Sequence, residues 1–354
     1  MAPARDVAVV ATAQTVHRRA ATELSEVEMI QPVIAEVLGA VGGMGGIDFT
    51  CSGSTDYLAG QAFSFVMTLD AVPAYPPIVE SHVEMDGAWA LYEAWLKIQA
   101  GHADTALVYG YSKASPGDLP NVMSRGLDPY YYGPLWPDSV AFAGLQARAM
   151  LDAGVITELE MAQIAHRNRT AAASNPRAQV AGSPSVDELL ATPMLSDPLR
   201  RHDCPPISDG GVAVVLAAGD RAREWSDRPA WIRGLDHRID SHAFGARDLT
   251  VAPSIRLAAE KAGVADGPVD VAEVHAPFSH QEKIVLTELG LGDGVDVNPS
   301  GGALAANPML AAGLIRFAEV ADRISAGTAD RGVAHATGGQ LLQQNLIAVL
   351  EGES

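Results

Sequence analysis

The sequence predicts an α/β protein built from two βαβαβ-like halves, the first of them interrupted by a mainly helical insertion. Three observations carry this. Apolar strand-like runs alternate with helical stretches, the pattern of an α/β fold; the alternation stops between residues 115 and 204; and it starts again at Pro229. A chain of 354 residues, 48% of them hydrophobic, buries a large core and divides into two domains or one duplicated unit. The expected divisions are residues 1–114 with 205–220 as the first half, 115–204 as the insertion and 229–354 as the second half. Similarity between the halves is not visible at the level of residues.

In chain order, Val7 to Ala13 (VAVVATA) reads as the first strand. ELSEVEMIQPVIAEVLGAV reads as a helix interrupted near Pro32, since proline has no N–H for the helical ladder. GIDFTCSG is a second strand leaving into a small-residue loop, followed by a helix near Tyr57 to Met67. Residues 79–98, VESHVEMDGAWALYEAWLKI, read as the end of a buried strand, a tight junction at Gly87 and a helix reaching about Ala100; TALVYGYSKA is the next strand. The insertion has a Pro, Tyr and Trp texture (GLDPYYYGPLWPDS), helices around Ser139 to Ala153 and Thr157 to Ser174, and no convincing strand. SDGGVAVVLAAGD returns to strand. The second half then reads AWIRGLDH (strand), APSIRLAAEKAGV (helix), DVAEVHAPF (strand), SHQEKIVLTELGL (helix), a glycine-rich loop feeding a helix, RGVAHATGGQ (strand and turn) and LLQQNLIAVLEG (last strand).

Composition excludes several classes. A formal charge of -19 argues against nucleic-acid binding, because phosphate neutralisation needs clustered Lys and Arg. No apolar run is long enough to span a bilayer, and the start MAPARDVAVVATAQ lacks the apolar core of a signal peptide, so a cytoplasmic protein without a membrane partner is expected. Cys51 and Cys204 form neither a disulfide framework nor a zinc-type spacing, and no metal is expected. Two basic patches, His166 to Arg169 and Leu199 to His202, are solvated surface or a local anion site.

The junction at Gly87 is of the strand-to-helix kind on which acyl-transfer enzymes mount a nucleophile. Here it carries His82, Glu84 and Asp86. CSGS at Cys51 also lies between a strand and a helix, and is a weaker candidate for a nucleophile.

Four stretches together resemble the thiolase superfamily, over essentially the whole chain. SDGGVAVVLA (Ser208 to Ala217) looks like the family's DGAAAV strand, and HAPF (His275 to Phe278) stands where thiolases have Asn-Glu-Ala-Phe. NPSGGALAANP (Asn298 to Pro308) is similar to the family's asparagine, proline and double-glycine loop, and HATGGQ (His335 to Gln340) to a Cys ahead of a glycine triplet. Within the superfamily the chain resembles the branch of sterol carrier protein X thiolases and the thiolase-like lipid-transfer proteins of bacterial steroid degradation. The resemblance implies a thiolase fold, layered αβαβα.

The departures from the family bear on function. Aligning Gly87 with the glycine after the nucleophile puts Glu84 at the family's acyl-accepting Cys; Asn307 replaces the catalytic His, His335 the second Cys, and His275 the Asn that holds a catalytic water. A carboxylate attacking a thioester would give a reactive anhydride, so ping-pong acyl transfer is not expected. His275 and Asn307 both donate hydrogen bonds and stand where the resemblance implies an oxyanion hole, and His335 or Glu84 could take a β-hydroxyl proton in a retro-aldol cleavage. Some nucleophile-free members of this branch are aldolases on β-hydroxyacyl-CoA side chains of steroids; they favour tyrosines at the equivalents of His275 and Pro308, which this chain lacks.

Each residue also has a plainer reading. Glu84 would cap the following helix, His275 and His335 would be satisfied core histidines, and Asn307 would form a turn. Gly301, Gly302, Gly338 and Gly339 mark tight turns where backbone approaches a ligand or another strand. Arg169, Arg200 and Arg201 are the candidates for coenzyme A phosphates, and Tyr130 to Tyr132 with Trp136 for a bulky acyl group.

Two functions follow. One is a lyase acting on an acyl-coenzyme A substrate, with no cofactor held by the chain. The other is a non-catalytic subunit supporting an active thiolase-like paralogue. Either implies a homodimer or a heteromer joined through the edge strand in YPPIVESHV, and the resemblance adds a candidate partner carrying an OB-fold and a zinc ribbon.

Overall fold

The structure is a computed structural model that describes residues 5–353. The first half contains β1 (Val7–Gln14), α1 (Glu26–Ala40), β2 (Phe49–Gly53), α2 (Asp56–Ala59), β3 (Val79–Val83), α3 (Gly87–Gln99) and β4 (Thr105–Lys113). Then come α4 (Leu119–Arg125), α5 (Ser139–Asp152), α6 (Glu158–Ala172), α7 (Val186–Leu190) and a short hairpin, β5 (Met194–Ser196) and β6 (Leu199–Arg200). The chain returns through β7 (Asp209–Ala218) and α8 (Gly219–Trp225). The remainder is β8 (Ala230–Ile239), α9 (Pro253–Ala262), β9 (Val271–Val274), α10 (Ser279–Leu289), β10 (Asp296–Val297), α11 (Gly302–Ala305), α12 (Ala312–Ser325), β11 (Arg331–Gly338) and β12 (Gln344–Glu351).

The duplication missing from the residues is plain in the strand order. The main sheet runs β10-β9-β11-β12-β8-β1-β7-β4-β2-β3. Divided between β8 and β1, each half places its own third, second, fourth, fifth and first strands side by side. Directions match as well: β2 is parallel to β3 and β4 as β9 is to β10 and β11, and β7 is antiparallel to β1 and β4 as β12 is to β8 and β11. Within the sheet the halves meet at β1 and β8, through the pairs Ala8 with Trp231 and Val9 with Ala230.

Hydrophobic burial produces the layers. α3 and α12 lie between the two halves, with Ala88, Leu91, Leu314 and Phe317 in one core with inward residues of both sets of strands. α1 covers the outer face of the first half through Ile30, Val33 and Ile34. α9 and α10 cover that of the second through Ile255, Ala258 and Val285. Each fully buried Leu, Ile or Phe contributes about 1.5–3 kcal/mol, which makes this αβαβα stack the principal stabilising feature.

Four local expectations are corrected. α1 is continuous through Pro32, which lies on its exposed side, where water can take the carbonyl left without a donor. The helix expected at Tyr57 to Met67 is broken: α2 ends at Ala59 with a left-handed Gly60 as its cap, a 3-10 stretch begins at Ser64, and the Asp56 carboxylate accepts from the Phe63 and Ser64 amides at 2.9 and 2.7 Å across the break. β3 is an edge strand, largely exposed, and not the end of a buried one. The insertion does contain strands, the small hairpin β5–β6.

Candidate active site

The elbow between β3 and α3, the start of α10, the loop before α12, the β11–β12 turn and α4 with α5 enclose a cavity of about 640 Å³. Gly87 lets these parts meet: a Cβ there would lie 2.9 Å from the Leu314 side chain and 3.2 Å from the Cα of Gly110. The α3 N-terminus can thus abut both β4 and α12.

His275 and Asn307 come together in the cavity wall. His275 Nε2 lies 3.0 Å from Asn307 Oδ1, and the Thr337 amide approaches His275 Nδ1 at 3.5 Å. An acceptor at Nδ1 places the imidazole proton on Nε2, which therefore donates to Asn307. Burial, with the Arg316 guanidinium adding to it, pushes the His275 pKa down to about 3, so the ring is neutral. Asn307 is fixed from behind by its amide donating to Ser208 Oγ at 3.0 Å. With Oδ1 engaged, the Nδ2 group donates to no acceptor among the described residues and is available to a bound molecule.

Glu84 lines the same cavity, is exposed, and accepts the Asp56 amide at 2.6 Å through Oε1. It caps the start of α2, not the following helix. That cap is Asp86, which the sequence analysis named in the elbow without assigning it a role: its Oδ1 accepts from Ala88 and Leu314 at 2.8 and 3.0 Å and its Oδ2 from Gly313 at 2.8 Å. One buried carboxylate therefore holds the N-termini of both central helices. Burial pushes its pKa up to about 6 against the pull of the three amides. An acid directly before a run of small helix-forming residues is the signal that could have identified it.

His335 is not brought to the cavity. It is fully buried, its Nε2 lies 3.0 Å from Asn345 Oδ1, and Asn345 continues to Ser254 Oγ on α9 at 2.7 Å. Its side chain thus faces the outer layer, and burial pushes its pKa down to about 4.

Among the glycines, Gly338 and Gly339 line the cavity, whereas Gly301 and Gly302 do not. Gly301, at φ +96, sits where a Cβ would be 2.6 Å from the Cβ atoms of Ala172 and Ala305, so this glycine lets the loop approach α6. The same loop is tied by Ser300 to Glu273, which is fully buried and also takes Arg316 Nη1 at 2.6 Å.

No arginine or lysine lines the cavity among the described residues, although Glu84, Asp86 and Asp138 do. Arg200 is engaged with Glu158 at 2.7 Å and with the Thr192 carbonyl, Arg201 is exposed, and Arg169 is half-buried. The aromatic run is also elsewhere: Tyr130 and Tyr131 face solvent, Tyr132 packs on Phe142 and Phe244, and the insertion reaches the cavity through Leu119, Met123 and Val140 instead. Cys204 lines the cavity, but burial pushes its thiol up to about 12, as it does that of Cys51. Neither supplies a thiolate near neutral pH. Among the described residues no cluster of three or more His, Cys, Asp or Glu is placed to hold a metal, and no helix is long and apolar enough to cross a membrane.

No protein-family model matches the chain. Individual proteins do. An acetyl-CoA acetyltransferase of Methanothermobacter thermautotrophicus is 29% identical over 351 residues, covering 89% of this chain and 90% of its own. One from Methanocaldococcus jannaschii is 30% identical over 275 residues, covering 68% and 69%. Sterol carrier protein 2 of Gallus gallus is 28% identical over 300 residues, 71% of this chain and 54% of its own. Among solved structures, one described as an Ltp2-ChsH2(DUF35) aldolase superposes with a TM-score of 0.79 at 18% identity, covering 98% of both chains, a likeness of fold. The chain belongs to the thiolase superfamily.

Proposed function

We propose that this protein is a carbon–carbon lyase acting on a β-hydroxyacyl-coenzyme A thioester without a covalent intermediate. The observation that carries the reading is the pairing, in one cavity, of an amide donor held by a neutral imidazole (Asn307 with His275) and a carboxylate at the rim (Glu84), where the one cysteine that lines the wall among the described residues, Cys204, is a buried thiol.

Glu84 takes the β-hydroxyl proton. The O–H electrons form the new C=O, the Cα–Cβ bond breaks, and its electron pair becomes the enolate of the thioester, whose oxygen Asn307 Nδ2 holds. Glu84 returns the proton to Cα, leaving a ketone or aldehyde and a shortened acyl thioester. His275 positions the amide. The names of the relatives support a coenzyme A thioester, and the aldolase among the fold neighbours supports the lyase step. The apolar wall from Leu119, Met123 and Val140 suits a bulky acyl group such as a steroid or lipid side chain.

The test is release of ketone from a steroid-type β-hydroxyacyl-coenzyme A. Glu84→Gln is expected to lower kcat by about 10²–10⁴ with little change in KM. Turnover that survives the change would remove Glu84 from the mechanism.

A second reading is favoured by one observation, the absence of cationic side chains from the cavity wall among the described residues. The phosphates of coenzyme A would then be met by Arg169 or Arg201 outside it, or by another chain. In that reading the protein supports an active thiolase-like subunit, or works with an OB-fold and zinc-ribbon partner, and the open edge of β3 is where a second thiolase-like chain pairs. Co-purification with the products of neighbouring genes, with turnover only in the complex, distinguishes it.

A further inference from the structure

The turn between β11 and β12 is strained, and no part of the lyase scheme uses it. Leu341 and Leu342 are both left-handed, at φ +58 and +59, a conformation that leucine rarely adopts. Packing holds them there: Leu341 is buried with Phe142 and Leu127, and Leu342 in the outer core of the second half. Backbone strain that is over-determined in this way concentrates at functional sites.

The two carbonyls nearest this strain have a common partner. Arg247, between β8 and α9, donates from Nη1 to the Leu341 carbonyl and from Nη2 to the Gln340 carbonyl, each at 3.2 Å. A trans peptide unit points its C=O and N–H in opposite directions. The amides of Leu341 and Leu342, which share peptide units with those carbonyls, are therefore directed away from Arg247, side by side. Arg247 does not line the cavity, whereas Gln340, Leu341 and Leu342 do. Neither amide donates a hydrogen bond to any acceptor among the described residues. Buried backbone N–H groups without partners are rare, and paired ones of this kind make anion-binding concavities. The guanidinium behind them polarises both peptide units and strengthens the donors.

We propose that the Leu341 and Leu342 amides form an oxyanion hole in the cavity wall, propped by Arg247, for a carbonyl oxygen of an otherwise apolar, uncharged group as it takes on negative charge. The occupant is of the enolate class and not a preformed carboxylate, since the wall carries Glu84, Asp86 and Asp138 without a cation. This deepens the lyase reading and rests on it for the identity of the substrate: the hole shares the enolate oxygen with Asn307.

The test uses 4-nitrophenol, an apolar ring with one ionisable oxygen, whose phenolate is seen by absorbance and which needs no turnover. The bound probe is expected to favour phenolate over phenol by about tenfold more than in water. Arg247→Met is expected to reduce that preference to about twofold or less, and Arg247→Lys, which can hold one carbonyl, to leave an intermediate value. Should the Met variant not fold, the Lys variant decides. Asn307→Leu is expected to weaken the preference without abolishing it. No preference in the wild type, a preference unchanged in both Arg247 variants, or one lost in Asn307→Leu but kept in Arg247→Met would each overturn the proposal. A wild type that favours phenolate yet cleaves no β-hydroxyacyl thioester leaves the hole standing and removes the lyase reading; cleavage without the phenolate preference does the reverse.

Discussion

At the scale of single residues, His275 and Asn307 act as a unit, since the imidazole proton fixes the amide whose other end faces the cavity. Replacing Asn307 by Leu is expected to lower kcat by about 10²–10³, the effect of losing one oxyanion donor, and to cost about 1–3 kcal/mol of stability, because the buried His275 Nε2 loses its acceptor. His335 behaves otherwise. Its Nε2 is committed to Asn345 and its ring faces α9, so His335→Ala should cost about 2–4 kcal/mol of stability by denaturant titration. Turnover per folded molecule should be nearly unchanged. The sequence named His275, Asn307 and Glu84 from motif position, and these share one cavity. It misplaced His335 because neighbours along a strand point to opposite faces, and which face a buried polar side chain takes depends on Asn345, ten residues away, and on Ser254 in another helix. The Arg247 prop was illegible for the same reason: nothing local connects an arginine after Phe244 to a turn near Leu341.

At the scale of elements, Asp86 ties the two central helices together. Asp86→Ala leaves three helix-terminal amides without an acceptor and should cost about 2–4 kcal/mol. Its pKa is raised from 3.8 to about 6, so its protonation-linked stability is fully present below about 3.8 and is lost as pH rises through about 6. The stability difference between wild type and Asp86→Asn should therefore shrink by up to about 3 kcal/mol between pH 4 and 6.5, read from denaturant midpoints at each pH. The strands and helices with clean apolar periodicity were legible from the sequence. The continuity of α1 was not, because Pro32 falls on its solvent side, and neither was the break after α2, which depends on Asp56 reaching two amides and on a left-handed Phe63.

At the scale of the molecule, the two halves repeat one strand order although their sequences show no repeat, because topology survives the exchange of one core side chain for another as long as the pattern of burial is kept. Their interior stores a pH dependence. His17, His275 and His280 have pKa values pushed down to about 3 by burial and His335 to about 4, all well below the ordinary value. Each is neutral when folded and protonated when unfolded below pH 6.5, so stability falls as pH drops from about 6.5 towards 3, with Asp86 opposing by one proton. Glu273 and Asp322, whose carboxyls burial also raises, oppose in the same sense as Asp86, while His202 and His237, lowered by burial, add to the four histidines; unfolding near pH 5 should take up protons, measured as a stability that rises with pH.

The central claim is that this thiolase-fold cavity breaks a carbon–carbon bond with no enzyme-bound acyl group. Its most direct test is intact-protein mass spectrometry, quenched during turnover of a β-hydroxyacyl-coenzyme A, on the wild type and on a Cys51→Ser, Cys204→Ser double variant. The account predicts ketone release at similar rates from both proteins and no mass increase on either. An acyl adduct on the wild type together with loss of turnover in the double variant, or no ketone release from the wild type, would contradict it.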